Sequence, residues 1–544
     1  MVLPTTSKNQ KIIFLIIFVI CLFIQIIPVI RSGLNYNYGI GFWGPNGHDG
    51  IWHLSLINHI DNPLNIDMPV FSGEKLKNYH PFFDILISYL SKITFINSSL
   101  WLFQIFPLIS SILFLYLSFF LGKKITNTFS GGLILLILNT VSNSFGWIIT
   151  LLRSGSFAGE SLFWTMQSPS NQLNPPYMLS ILLLLTLIYL LKSPQPKKIF
   201  IFIILILLPI IKVYSAVPAF IIFSFYVLKN KKYLMTLVFS LIVAVLLFLQ
   251  YNSTSSSLIK FQPFWFINSM FESADRFYLP RVANMRYTLE SSNRIGPRLV
   301  AYYLIGFAIF LVGNFSWRLL SFKEQIKDKA LLISIVLCLL IPTFFIQKGT
   351  NWNTIQFLYY GLFLANIPFC LYLDKHKKIA LVVISFSLLP LIGSFPNWLG
   401  TIPPAAISKN EISALNFLSK QTSGTVLTYP YDAYLKKNIN ITPLPIYAYE
   451  TSSYVAAFSK HITFLEDEMN LENSGYNWTQ RRQDSLDFFK QKNQFIDRGF
   501  LVNNQIDYIY LPKIYISKNP EISPQMYLEQ IFENSEILIY RVKR

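Results

Sequence analysis

The chain has 544 residues, of which 53% are hydrophobic and 13% charged, about half the ~25% charge of a water-soluble globular protein. Its formal net charge of +18 is scattered in short segments between apolar runs, which excludes nucleic acid as a partner and fits membrane orientation and anionic lipid headgroups. Cys21, Cys338 and Cys370 lie in apolar runs without a CxxC spacing, so disulfide and thiolate-metal roles are not expected.

Roughly 20 apolar residues make one bilayer crossing, and eleven segments approach that length: Ile12–Ile30, Leu100–Leu121, Gly131–Thr150, Pro176–Leu191, Ile199–Ile211, Ser215–Leu228, Tyr233–Gln250, Leu299–Gly313, Ala330–Ile346, Thr354–Leu373 and Ile379–Phe395. The first follows Lys8 and Lys11. It is too long for a secretory h-region and lacks a small-x-small cleavage site, so it reads as a retained anchor. The fifth and sixth are short and meet at Lys212. With the N-terminus inside, the basic residues fall in the short loops of one side: Lys123 and Lys124; Lys192, Lys197 and Lys198; Lys229, Lys231 and Lys232; Arg318, Lys323, Lys327 and Lys329; Lys375, Lys377 and Lys378. This regularity predicts an α-helical polytopic bundle over residues 1–395 in the cell membrane, with about eleven spans, N-in and C-out.

Three outer loops are then long: 31–97, 151–175 and 251–297. The first holds Pro81–Ile96, too short and broken to span and expected to be an interfacial helix. From about Pro396 charged and polar residues return. Ser408–Ser419 has helical periodicity and Thr425–Tyr429 reads as a strand. Ser453–Ser459 then Ile462–Leu465, and Gln483–Phe500 then Tyr508–Leu511, repeat helix then strand. Gln525–Phe532 precedes the strand Ile537–Arg541 in the same rhythm. Residues 396–544 are therefore expected to form an extracytoplasmic α/β domain.

Four of the six histidines, His48, His53, His59 and His80, fall in the first loop with Asp49, Asp61, Asp67 and Glu74. Their densest stretch is Gly47-His48-Asp49-Gly50-Ile51-Trp52-His53, where glycine allows close approach of a substrate to backbone. A helix starting at Asp49 would put Asp49 and His53 on one face. Asp49 as a plain N-cap, and a divalent metal on these side chains, are the alternatives. Lys212 interrupts an apolar stretch next to Tyr214. A mid-membrane lysine is a functional candidate by default, against an anchor that snorkels to the headgroups. Glu160 sits in the second loop. Arg281 and Arg286 belong to an arginine-rich third loop that opposes the positive-inside bias, suited either to phosphate or to salt bridges with Glu272, Asp275 and Glu290. Lys348 opens a polar turn on the same outer face.

This arrangement resembles the GT-C superfamily of membrane glycosyltransferases, such as protein O-mannosyltransferases and aminoarabinose transferases: an N-in first helix, a long outer loop bearing an essential acid where Asp49 stands, and cations in later spans or loops where Lys212 and Lys348 stand. The acid lacks an Asp-Glu or Asp-x-Asp partner, and the adjacent His48 is a departure. The resemblance implies a polyprenyl-phosphate-linked sugar as donor and a glycan, lipid or protein as extracytoplasmic acceptor. It implies Asp49 as base, with His48, His53 and Glu160 in the catalytic group. Lys212, Tyr214, Lys348, Arg281, Arg286 and His80 would hold the donor phosphate. A transporter or flippase of lipid-linked glycans, and a non-catalytic membrane protein with an outer binding domain, are the rival readings.

Overall fold

The computed structural model describes residues 7–252, 259–292, 296–347, 351–490, 494–518 and 527–543. The chain is mostly helical and divides into two compact units. One comprises Met1–Pro28, Pro107–Leu249 and Ser255–Leu399; the other comprises Val29–Phe106, Gln250–Thr254 and Gly400–Arg544.

In the first unit the leucine- and isoleucine-rich runs form helices, as segments that must satisfy their own backbone in lipid do. Six helices among the described residues are long and apolar enough to cross a membrane: Lys8–Ile26, Ser98–Thr126, Lys231–Tyr251, Pro297–Lys327, Trp352–Lys375 and Lys377–Leu399. Phe129–Val141 and Gly146–Ser154, bent by 51°, make a seventh if they form one span. The apolar runs at Pro175–Leu191, Lys198–Ile211, Val213–Lys229 and Lys329–Phe344 are helical but have only 14 to 17 residues. Fourteen residues rise about 21 Å, short of a hydrocarbon core ~30 Å thick. Length and composition thus license six or seven crossings where the sequence suggested eleven.

A polar network runs through the interior of this unit. Arg318, 1% exposed, donates from Nε to Asn366 Oδ1 at 2.8 Å and from Nη1 to Gln167 Oε1 at 3.3 Å. Asn366 Nδ2 donates to Asn139 Oδ1 at 3.0 Å, and Asn139 Nδ2 to Ser118 Oγ at 2.9 Å. The sequence placed Arg318 among loop cations; the fold buries it among side-chain amides, the compensation a buried charge requires.

The second unit is built from the first long loop together with the chain after Gly400. One sheet has strand order β1 (Asn35–Tyr36), β2 (Gly39–Phe42), β3 (Ala405–Ser408), β5 (Leu444–Pro445). β2 pairs antiparallel with β3, Gly39 opposite Ser408 and Phe42 opposite Ala405. Gly39 has φ +129°, and a Cβ there would lie 2.0 Å from the Ile407 carbonyl oxygen, so only glycine lets these strands meet. A five-stranded sheet has order β8 (Leu528–Glu533), β9 (Ile537–Val542), β7 (Ile506–Pro512), β4 (Thr425–Thr428), β6 (Ile462–Thr463). β4 is parallel to β6 and β7, and β9 is antiparallel to β7 and β8.

Helices between β4, β6 and β7 give the expected α/β pattern, but Gln525–Phe532 departs from it. Its described part is strand β8, which closes a hairpin onto β9. Asn534 Oδ1 accepts from the backbone of Glu536 and Ile537 at 2.9 and 2.8 Å, turning the chain back. The core mixes both segments: Trp52, Leu56, Met68 and Phe71 pack with Leu427, Phe464, Ile509 and Leu538.

Candidate active site

After β2 the first loop makes a 3₁₀ turn, Gly44–Gly47, followed by the helix Asp49–His59. His48 occupies the N-cap and Asp49 is the first helical residue; no side-chain cap hydrogen bond forms. Gly50 lacks a Cβ because the Phe103 ring would lie 2.7 Å from one. Its role is packing, where the sequence suggested substrate approach.

His48 bridges two carboxylates. Nδ1 lies 2.8 Å from Asp49 Oδ1 and Nε2 lies 3.2 Å from Asp467 Oδ1. The His48 and Asp467 side chains are 6% and 0% exposed, whereas that of Asp49 is 51% exposed. Asp467 also accepts from the backbone N–H and side-chain amide of Asn470, capping the helix Glu468–Asn473. Burial pulls the His48 pKa down, but the charge and hydrogen bonds of Asp467 and Asp49 outweigh it and hold the imidazole well above its ordinary value. With both ring nitrogens facing carboxylates, both donate, and the ring is an imidazolium. The arrangement offers solvent one half-exposed carboxylate at a helix N-terminus, where the macrodipole favours its charge, held from behind by a buried His–Asp pair.

The helix does start at Asp49, so Asp49 and His53 stand four residues apart on it as expected; His53 is buried and pairs with Asp84, Nδ1 to Oδ1 at 2.7 Å. Asp84 lies on the helix Phe82–Thr94, the predicted interfacial segment, and Tyr79 Oη approaches the same nitrogen at 3.3 Å. His80 is partly buried just before that helix. Asp84 and Asp467 escaped the sequence reading. Their signals were an acid on the apolar side of an amphipathic segment, and an acid run, Glu466-Asp467-Glu468, directly after a strand.

No group of three His, Cys, Asp or Glu side chains converges to hold a metal among the described residues. Both His48 nitrogens are taken by carboxylates, so these residues do not fit a metal centre.

The other candidates lie in the first unit. Glu160 is locked to its own loop: Gln167 N donates to Oε1 at 2.9 Å and Ser170 Oγ to Oε2 at 2.8 Å. Burial raises its pKa to about 7 against the pull of those bonds. Lys212 is the partly buried residue between the helices Lys198–Ile211 and Val213–Lys229, with Nζ 5.7 Å from the centroid of the Tyr214 ring. Tyr214 is buried edge-on against Phe357. Arg286 pairs with Glu272 at 2.8 Å and Glu290 at 3.4 Å and stacks on Tyr287. Arg281 is exposed at the start of the helix Pro280–Ser291. Lys348 lies outside the described residues.

Fold and site define a class: a multi-pass membrane protein with a carboxylate–imidazolium–carboxylate site on a folded α/β unit. No protein-family model and no curated protein matches the chain. Among solved structures it is similar to the Archaeoglobus fulgidus oligosaccharyltransferase tethered with an acceptor peptide, at 13% identity and a TM-score of 0.46, over 99% of this chain and 74% of that one. Another A. fulgidus structure, of oligosaccharyltransferase AglB with an inhibitory peptide and a dolichol-phosphate, is 12% identical with a TM-score of 0.41, over 95% of this chain and 71% of that one. The arabinofuranosyltransferase AftD from Mycobacteria is 12% identical with a TM-score of 0.49; the match covers 99% of this chain and 40% of AftD. These neighbours are glycosyltransferases of the GT-C class.

Proposed function

We propose that the chain transfers a glycosyl group from a polyprenyl-phosphate donor to an extracytoplasmic acceptor, with Asp49 as general base. The observation that carries this reading is the half-exposed Asp49 carboxylate fixed through His48 to buried Asp467. Asp49 takes the proton of an acceptor hydroxyl or amine as that atom bonds to the anomeric carbon. The bond from that carbon to the phosphate oxygen breaks, and its electron pair leaves on the phosphate. Phosphate departs as a stable anion, so one base and nearby cations suffice. His48 and Asp467 position the base. In the reading proposed here Lys212 and Tyr214 hold the lipid phosphate with Lys348 and Arg281, while Arg286 and Glu160 order their own segments. The same proposal keeps the N-in, C-out topology with about eleven segments entering the membrane and the second unit outside.

The test is native mass spectrometry of the protein purified in mild detergent. A co-purified polyprenyl phosphate or its glycosylated form is expected, consumed when an acceptor is added. Retention of phospholipids alone would contradict the donor assignment.

A further inference from the structure

A shallow cleft, open to solvent, lies in the second unit at the C-terminal ends of β4 and β7, where Thr428 and Pro512 end the two strands. From these adjacent parallel strands the chain leaves in opposite directions across the sheet, β4 toward β6 and β7 toward β9. Such a switch point is where open α/β sheets take ligands.

The wall is aromatic. Tyr429 and Tyr515 stack with centroids 4.0 Å apart, Tyr447 lies 6.0 Å from Tyr515, and Tyr431 flanks them half-buried. No lysine, arginine or histidine lines the cleft among the described residues. Three of its four acids are occupied by protein, and the fourth, Glu450, is half-buried at its edge. Glu466 accepts from the backbone N–H groups of Val455 and Ala456 at 3.1 and 3.0 Å. Glu468 is held by Arg482 and Thr451, and Asp467 by His48. Burial lifts the Glu466 carboxyl to about 8, so it holds its proton at neutral pH. Ser452, 8% exposed, lines the cleft with an Oγ that has no hydrogen-bond partner among the described residues.

An anionic ligand would meet carboxylates here and no cation, whereas a cationic one would find most of the acids already compensated. A neutral ring with an apolar face and many hydroxyls meets tyrosine faces, tyrosine hydroxyls and the unsatisfied serine, the apolar lining with a few placed polar groups that small-molecule sites show. We propose that this cleft binds the acceptor and that the acceptor is a neutral carbohydrate, its ring laid on the tyrosine wall. Asp467 belongs to the cleft and contacts His48, which contacts Asp49, so the acceptor chain must extend from the cleft past this pair for its reacting hydroxyl to reach the exposed Asp49 carboxylate. The assignment rests on the reading of Asp49 as base, and it can fail separately.

The experiment is saturation-transfer NMR on the full chain in detergent micelles, with neutral tetrasaccharides of mannose and of arabinose against tetragalacturonate. At least one neutral probe should bind and tetragalacturonate should not. Tyr431→Ala should weaken binding about tenfold, equivalent to ~1.4 kcal/mol, Tyr431→Phe should restore it, and Asp49→Asn should bind as wild type. Silence from both neutral probes, equal binding of tetragalacturonate, or full affinity in a Tyr431→Ala protein with wild-type circular dichroism would overturn the assignment. If binding fails while transfer still depends on Asp49, the cleft is wrong and the base stands. If tyrosine-dependent binding coexists with an active Asp49→Asn protein, the cleft stands and the base falls.

Discussion

Replacing Asp467 with asparagine should uncouple the site while leaving its shape in place. Asp467 and His48 are 0% and 6% exposed in their side chains and 3.2 Å apart. Removing one charge from a buried pair costs about 3–5 kcal/mol, so the variant should unfold at a clearly lower temperature. The pH dependence is more diagnostic. The folded-state pKa of His48 is raised above its ordinary value. The stability from this group is therefore complete below the unfolded-state pKa of ~6.5, and it is lost as pH rises from there through the raised folded value. Wild type should lose stability over that window, and Asp467→Asn should show little of this loss because its imidazole no longer stays charged. Tryptophan-fluorescence unfolding of the detergent-solubilised proteins across this range reads both effects. Losing the group that fixes Asp49 through His48 should also lower kcat. Parallel stability curves for the two proteins at every pH, with equal kcat, would refute the coupling of Asp467 to Asp49 through His48.

Four further outcomes are expected. Glu160 has a folded pKa of about 7 against 4.5, so the folded state keeps a proton the unfolded chain has lost; stability falls between those pH values, and Glu160→Gln should flatten the fall while leaving transfer near wild type. Glu160→Ala strands the Gln167 N–H and Ser170 hydroxyl and should cost about 1–3 kcal/mol, measured by thermal unfolding. Lys212→Met should raise the donor KM or lower kcat with little change in acceptor KM; retention of radiolabelled polyprenyl phosphate equal to wild type would show that Lys212 is an anchor. Ser419→Cys, against three buried native cysteines, should react with an impermeant maleimide on intact cells, and labelling only after lysis would reverse the topology.

The helices of the first unit were legible because each apolar run carries its own signal, independent of what it packs against. Which apolar runs cross the membrane was the part the sequence left open: the fifth and sixth read as short from the sequence, and Lys198–Ile211 and Val213–Lys229 are short helices. The second unit was half legible. Local rhythm revealed β4, β6 and β7 with their helices, whereas β2 and β3 pair across most of the chain, and no local pattern encodes such a partner. For the same reason the His48-Asp49 pair stood out in the sequence and Asp467 did not. A glycine-flanked His-Asp pair stands out in a loop, but the carboxylate that fixes His48 comes from a segment more than 400 residues away. The β8 hairpin was missed because Asn534, a turn residue, outweighs the helical pattern before it.

The most direct measurement is sugar transfer by Asp49→Asn in nanodiscs, with the lipid-linked donor fraction that co-purifies with wild type. The substitution keeps the hydrogen bond to His48 and removes the base, so turnover should fall about 10²–10⁴-fold while the unfolding temperature stays near that of wild type. Wild-type turnover by a folded Asp49→Asn protein would contradict the account.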